Sequence, residues 1–345
     1  MAVITIVGAG MMGSAMSVPA TDNGHEVRLV GTPLDDDIIR AIRATGEHPK
    51  MHRRLPEKIR CYTFDEVDRA MDGMDLYING VSSFGVDWFA QEMLPRIPES
   101  VPVISVTKGM EVMENGRLVP FPVLLKDRLP EGKRLSLNAI GGPCTSYELA
   151  DRHQTTVAFC GDDLETLKYI RSLLKTDYYH IRVSTDVVGV ECAVAMKNAY
   201  ALGVSLAVGL AEKQCGIGCT EHYNAQAALF GQSVKEMRRL LALVGGGDEN
   251  IVFGAGDLYV TIFGGRTRRI GTLLGRGLSF DEAMNELSGV TLESVVIASR
   301  TAKSIRILAE RGLVRTEDYP LLMHVDDIIS RGAPVDIPWD AFTEQ

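Results

Sequence analysis

VITIV (residues 3–7) runs directly into GAGMMGSA (residues 8–15), an apolar segment followed by glycines at positions 8, 10 and 13. The spacing acquires meaning from its setting, because a buried strand delivers the turn and a helix leaves it. Gly8 permits the tight turn, Gly10 lets the main chain approach a pyrophosphate, and Gly13 lets the helix pack on the strand. The amide-rich N-terminus of that helix then faces the phosphates. The stretch predicts a dinucleotide-binding domain at the start of the chain, with Gly8, Ala9, Gly10, Met11, Met12 and Gly13 forming the cofactor loop.

Outward from this loop, short β-rich runs alternate with helical stretches to about residue 185: HEVRLVG, MDLYING, VPVISVTKG, RLSLNAIGG, TTVAFCG and YYHIRVSTD. Such alternation predicts a parallel sheet wrapped by helices. Beyond it the β pattern fades, and helices are predicted over 187–214, 220–245, 266–277, 280–287 and 292–312. The expected fold is α/β, with an N-terminal Rossmann-type dinucleotide-binding domain (1–185), a mostly α-helical substrate-binding domain (186–335) and a tail (336–345). The tail, with mixed polarity, is expected to dock loosely or fray.

Composition narrows the function classes. A chain of 345 residues suits two domains, each with its own core. A net charge of -9 argues against a polyanionic partner such as nucleic acid, so any phosphate site must be local. No uninterrupted apolar stretch reaches the roughly 18 residues that span a bilayer, and the N-terminus enters a strand rather than a signal peptide. A cytoplasmic location is expected. The six cysteines lack the paired spacings of a zinc site and the density of a disulfide scaffold, so reduced thiols and no metal are predicted. Cys215 and Cys219 fall one helical turn apart near His222, a spacing poorly suited to a metal and better suited to packing or loop roles.

Four further places can carry chemistry. The second strand ends at Gly31-Thr32, where a NAD-preferring domain often has an acid for the adenine ribose. The acids here, Asp35, Asp36 and Asp37, come later and suit a helix start. With room for a 2′-phosphate but no arginine following, the choice between NAD and NADP stays open, leaning to NADP. Lys108, in SVTKGME (105–111), follows a buried strand at the sheet edge where ligands collect, although a solvated loop lysine would look the same. Lys197 and Asn198 interrupt the small and apolar helix GVECAVAMKNAYAL (189–202). A lysine walled by apolar groups and close to another cation loses some preference for its charged form, as a proton donor requires, whereas a snorkelling lysine would point outward. Finally GAGDLYVT (254–261) and FGGRTRRIG (263–271) place glycines before an arginine-rich helix start, which suits a phosphorylated small molecule; Arg266 is the better candidate, while Arg268 and Arg269 are expected on a solvated face.

Together GAGMMGSA, SVTKGME, GGPCTSYELA (141–150), GVECAVAMKNAYAL, GAGDLYVT and FGGRTRRIG resemble, in order and spacing, the motifs of the NAD(P)-dependent glycerol-3-phosphate dehydrogenase family. The resemblance spans nearly the whole chain. It implies reversible reduction of dihydroxyacetone phosphate to sn-glycerol 3-phosphate for glycerophospholipid synthesis, by an oxidoreductase; separately a homodimer is expected, with the apolar stretch 199–211 suited equally to a core or a dimer face. It implies that Lys197 protonates the carbonyl oxygen, that Lys108 holds substrate oxygen, and that Asp257 with Thr261 orients Lys197. Asn198, Arg266 and Thr267 would contact substrate or phosphate, and Gly31, Thr32, Lys108, Arg266 and Glu293 would join the cofactor loop in holding NADP or NAD. Glu293 matches the family's Val-Glu-Gly with serine following it, and Glu148 suits equally a helix start.

The chain also departs from the pattern. Thr267 stands where the family commonly has asparagine, and Gly80-Val81-Ser82-Ser83 lacks the usual Val-Pro-Ser. His48, in a partly kept stretch, is expected to be a structural loop residue. These departures leave open another phosphorylated polyol or ketose as substrate, and, more remotely, a cofactor-sensing protein without turnover.

Overall fold

The computed structural model describes residues 1–343 and divides the chain into two compact units. The first unit comprises Met1–Lys108 and Phe121–Glu191; the second comprises Gly109–Pro120 and the chain from Cys192 onward.

The first unit is built on an eight-stranded sheet: β1 (Val3–Val7), β2 (Glu26–Val30), β3 (Arg60–Tyr62), β4 (Leu76–Asn79), β5 (Val103–Ser105), β6 (Leu137–Gly141), β7 (Thr155–Cys160) and β8 (Tyr179–Ser184). The strands lie in the order β8-β7-β6-β5-β4-β1-β2-β3. Every pair from β3 to β6 is parallel, which is the 3-2-1-4-5-6 arrangement of a dinucleotide-binding fold. Beyond it the predicted parallel sheet changes direction, since β7 runs antiparallel to β6 and β8 follows β7. The sequence pattern does not disclose β3, a three-residue strand at the sheet edge.

The centre is apolar because β1 and β4 are covered on both faces. Ile4 and Ile6 of β1 stand opposite Val27 and Leu29 on one side and Leu76 and Ile78 on the other, all buried. Strand order reverses between β1 and β4, so the open end of the sheet lies beside the glycine loop. That loop leads into helix α1 (Met11–Asp22).

The second unit is helical: α2 (Val187–Cys215), whose first turn precedes the division, α3 (Tyr223–Leu243), α4 (Ile251–Ile262), α5 (Gly265–Arg276), α6 (Phe280–Glu286), α7 (Glu293–Glu310) and α8 (Pro320–Arg331). By length and composition α2 could cross a membrane, yet 89% of its apolar window is buried within the protein, which makes it a core helix. Residues 199–211 are almost all buried in their own chain, so this stretch is core rather than a subunit face.

Two helices add to those the sequence pattern predicts: α4, which contains GAGDLYVT, and α8. The two compact units divide within α2. Residues 109–120 form a small hairpin, Met110–Val112 with Leu118–Pro120, that belongs to the helical unit. Its attachment is specific: Arg300 pairs with Glu111 at 2.7 Å, Ser304 Oγ donates to the Gly116 carbonyl at 2.6 Å, and Arg311 donates to that of Asn115 at 2.5 Å. A β pattern reports local extension and not the unit a hairpin joins. Toward the C-terminus Ile337 is buried and the Asp336 amide donates to His324 Nε2 at 3.3 Å, so the tail is docked at these positions; residues 344 and 345 lie outside the described chain.

Candidate active site

The cofactor cradle is made mostly of main chain. Gly8 sits at φ +112°, and a Cβ on Gly13 would stand 2.1 Å from the Gly8 carbonyl oxygen, so α1 can follow β1 only with glycine there. Gly80, directly after β4, closes the same contact: its Cβ would meet the Gly8 oxygen at 2.6 Å. Gly80, just before Val81-Ser82-Ser83, is therefore part of the cradle. Gly10 is different, because a Cβ on it would meet nothing within 4 Å. That open space beside the N-terminus of α1 is what a pyrophosphate needs, and the residues present fit a dinucleotide.

Two side chains fix the loop from behind. Fully buried His48 lies with Nε2 3.0 Å from the Ala9 carbonyl, while its Nδ1 accepts from the amides of Lys50 (3.2 Å) and Met51 (3.1 Å). Nε2 therefore donates to Ala9. Burial pushes the imidazole pKa below its usual range, in keeping with this neutral, doubly accepting tautomer. Asp35 Oδ2 accepts from the Ala9 amide (3.2 Å), the Thr32 amide (2.9 Å) and the Thr32 hydroxyl (2.7 Å). It joins the glycine loop to the turn after β2. Asp35 precedes the helix Asp36–Thr45, as expected of a helix start, yet its side chain makes no cap bond and faces the loop instead. Neither role is legible in the sequence, since both partners are backbone atoms distant along the chain.

At the end of β5, Lys108 Nζ donates to the Gly142 carbonyl at 2.9 Å, so its ammonium lies over the open edge of the sheet rather than trailing in a loop. Behind it a buried polar network joins the tips of β4 and β5: Asn79 Nδ2 donates to Ser105 Oγ at 3.1 Å, and Thr107 Oγ1 donates to the Val81 carbonyl at 2.7 Å. These bonds hold the segment 79–81 and Lys108 in fixed register.

In the helical unit, Lys197 of α2 meets Asp257 of α4, with Nζ 2.5 Å from Oδ1. The carboxylate side chain is 1% exposed and the lysine 15%. The helices approach closely enough because Gly254 lies one turn before Asp257: its Cβ would stand 2.5 Å from the Ala193 carbonyl, one turn before Lys197. Gly254 thus serves helix packing. Asp257, which the family resemblance implies as an orienting residue, places an anion beside Lys197. A carboxylate at this distance favours the ammonium, the form that can donate a proton.

Thr261 Oγ1 donates to the main-chain oxygen of Asp257 at 2.6 Å, so it braces the turn carrying the carboxylate. Asn198 is buried beside Lys197. Thr267 is buried in the first turn of α5, after Gly265 at φ +80°. Arg266 Nη1 donates to the carbonyl (2.9 Å) and hydroxyl (2.5 Å) of Thr291, just before Glu293, which opens α7. Arg268 is not on a solvated face, since it pairs with Glu221 and donates to the Ile262 carbonyl at 2.7 Å.

A nucleotide cradle on a parallel sheet, followed by a helical unit with a buried lysine–carboxylate pair, defines a nicotinamide-dependent dehydrogenase. Residues 3–166 match the model of the NAD-dependent glycerol-3-phosphate dehydrogenase N-terminus and residues 186–339 that of its C-terminus, and the chain belongs to this family. It is 34% identical over 289 residues to the NADP(+)-dependent glycerol-3-phosphate dehydrogenase of Archaeoglobus fulgidus, covering 83% of each chain. It is 30% identical over 314 residues to the glycerol-3-phosphate dehydrogenase [NAD(P)+] of Shouchella clausii, covering 89% of this chain and 86% of the relative. The crystal structure of glycerol-3-phosphate dehydrogenase from Coxiella burnetii superposes with a TM-score of 0.77 at 25% identity, over 99% of this chain and 97% of that one. A ketopantoate reductase from Ralstonia eutropha, at 18% identity and a TM-score of 0.55 over 96% of this chain and 99% of that one, shares the fold.

Proposed function

We propose that the protein interconverts dihydroxyacetone phosphate and sn-glycerol 3-phosphate, with Lys197 as the proton donor to the carbonyl oxygen. The observation that carries this reading is the buried Lys197–Asp257 pair, 2.5 Å apart on two helices packed through Gly254. The cofactor held by the cradle, as NADPH or NADH, would supply the hydride. Negative charge then grows on the substrate oxygen, and a preorganised ammonium stabilises it before the proton moves. Asp257 keeps Lys197 charged and aimed, and Thr261 braces Asp257. Lys108 is the second cation we assign to substrate oxygen, and the first turn of α5, with Arg266 and Thr267, together with Asn198, is assigned to the phosphate end.

The cofactor loop 8–13 and the turn at Gly31 and Thr32 are assigned to the dinucleotide, with Glu293 as a further contact. The lean to NADP rests on the room that Gly31 and Thr32 leave for a 2′-phosphate and on the absence of a ribose-binding acid immediately after them. We place the enzyme in the cytoplasm, as a homodimer supplying glycerol 3-phosphate for phospholipid synthesis; because residues 199–211 are buried in their own chain, the dimer contact falls elsewhere.

The test is oxidation of NADPH and NADH by purified protein with dihydroxyacetone phosphate, with unphosphorylated dihydroxyacetone as control. Phosphate-dependent oxidation is expected, faster with NADPH. Cofactor binding without oxidation would overturn the assignment and turn attention to another phosphorylated ketose, to which the short Thr267 side chain is suited.

A further inference from the structure

Helix α2 ends at Cys215, and the loop 216–222 turns back on it through two left-handed glycines, Gly216 at φ +93° and Gly218 at φ +81°. The Cys219 amide donates to the Gly216 carbonyl at 3.2 Å, closing the turn. This returns Cys219 to the end of α2 that carries Cys215, and His222 Nε2 lies 4.0 Å from Cys215 Sγ. Cys215 is exposed and Cys219 half-exposed, whereas Cys160 and Cys192 are buried. Among the described residues no three His, Cys, Asp or Glu side chains gather as a metal set, so a dithiol is the better description of this cluster.

The loop is also tied to helix α5 at both ends. Glu221 pairs with Arg268, the residue after Thr267, and accepts from Gln226 Nε2 at 2.9 Å. Glu212 pairs with Arg276 at 2.6 Å and accepts from the Gly218 amide at 3.4 Å. Any rearrangement that pulls Cys219 toward Cys215 moves the backbone between these two anchors.

We propose that Cys215 and Cys219 form a reversible dithiol–disulfide pair, and that its oxidation re-seats Glu221 and weakens phosphate binding at the start of α5. The second clause rests on the substrate reading above; the first does not. The oxidant is a low-molecular-weight disulfide. Cys215, the more exposed thiol, gives up its proton and attacks one of the oxidant's sulfurs. A protein–small-molecule sulfur bond forms, the small disulfide breaks, and the first small thiol leaves with a proton. Cys219 then gives up its proton and attacks Cys215 Sγ, forming the intramolecular bond and releasing the second small thiol. The protein loses two electrons and two protons, and one disulfide becomes two thiols.

The order of attack follows from the surroundings. Burial first, then the neighbouring Cys215 and Glu212, push the Cys219 thiol pKa up and keep it protonated. Cys215 is the more exposed and lies beside the imidazole, so it attacks first. Once it is capped, its own contribution to holding Cys219 protonated is gone.

The experiment is incubation of the full chain with oxidised glutathione, followed by peptide mass spectrometry and steady-state kinetics with dihydroxyacetone phosphate. Expected are a Cys215–Cys219 crosslink, a rise of about five-fold or more in KM for the phosphorylated substrate, and reversal by dithiothreitol. Cys219→Ser should stop at a glutathione adduct on Cys215 and show no crosslink. Cys215→Ala should form neither and keep its KM under oxidant. A wild-type adduct that never proceeds to the crosslink overturns the dithiol pair. A crosslink with unchanged KM overturns the link to α5. Absence of turnover before oxidation instead defeats the substrate reading and leaves the crosslink to be judged by mass alone.

Discussion

The cofactor cradle and the lysine centre solve the same problem, fixing polar groups where a ligand must land, by opposite means. The cradle presents main-chain amides, and its side chains work from behind: His48 and Asp35 hold Ala9 but face away from the space beside Gly10. The lysine centre presents a side chain, and main chain works from behind, through the close approach of Gly254 to Ala193. A main-chain site tolerates changes in surrounding chemistry but not a Cβ at Gly8 or Gly13. A side-chain site depends on one functional group and on the helix crossing that aims it.

The largest effect is expected from Lys197→Ala. Removing a positioned acid typically costs about 10² to 10⁴ in rate. Turnover should fall at least that far while the dissociation constant for NADPH, read by fluorescence titration, stays near the wild-type value. Next come two glycine substitutions that exchange these outcomes. Gly13→Ala puts a Cβ 2.1 Å from the Gly8 oxygen and should abolish cofactor binding. Gly254→Ala should leave cofactor binding intact and reduce kcat by about an order of magnitude or more, since overpacking of roughly 1 to 3 kcal/mol must be relieved by spreading α2 from α4. If Gly254→Ala weakens NADPH as much as Gly13→Ala does, the two regions are not separable as described.

Asp257→Asn is expected to be milder than loss of the lysine itself, because the ammonium and its position are perturbed and not removed. A fall of roughly ten- to a hundred-fold in kcat, with the pH–rate profile displaced to lower pH as the ammonium loses its carboxylate, is the outcome that identifies Asp257 as a positioning residue. An unchanged pH profile with lower activity would reduce its role to packing.

How much of this was legible follows the same division. VITIV-GAGMMGSA discloses the cradle because its constraint is local: three glycines within six positions act through their own backbone. Lys197 stands out as a charge in an apolar helix. Its partner is named only through family resemblance, and the helix bearing it is absent from the predicted ones, because Gly254 and Gly256 disfavour a helix until Ala193 is known to pack there. His48 and Asp35 were read as local features, a loop residue and a helix start, since sequence alone does not show that both reach Ala9. The attachment of the hairpin at 110–120 to the helical unit is hidden for the same reason: Arg300, Ser304 and Arg311, which hold it, lie nearly two hundred positions away.

The smallest expected effect concerns buried titratable groups, and here the two units should part with opposite sign. His48 has its pKa lowered, chiefly by burial, with Lys50 also lowering it and Asp35 and the Ala9 carbonyl opposing. Its contribution is complete above about pH 6.5, the unfolded-state value, and is lost as pH falls through the lower folded value, because a protonated Nδ1 can no longer accept from Lys50 and Met51. In the second unit Glu236, between α3 and α8, accepts from Gln232, Tyr200 and the amides of Leu321 and Leu322. Burial nevertheless pushes its carboxyl up to about 7. Its folded pKa is raised, so the contribution is complete below about pH 4.3, the unfolded-state value, and is lost as pH rises through about 7. Hydrogen exchange between pH 5 and 8, corrected for intrinsic rates, should therefore show the Ala9 and Met51 region loosening toward acid while Leu321 and Leu322 loosen toward base. In His48→Gln the acid-side change should vanish and the base-side change persist. A common sign for both regions would mean that one group governs the whole chain and that the two units do not respond separately to protons.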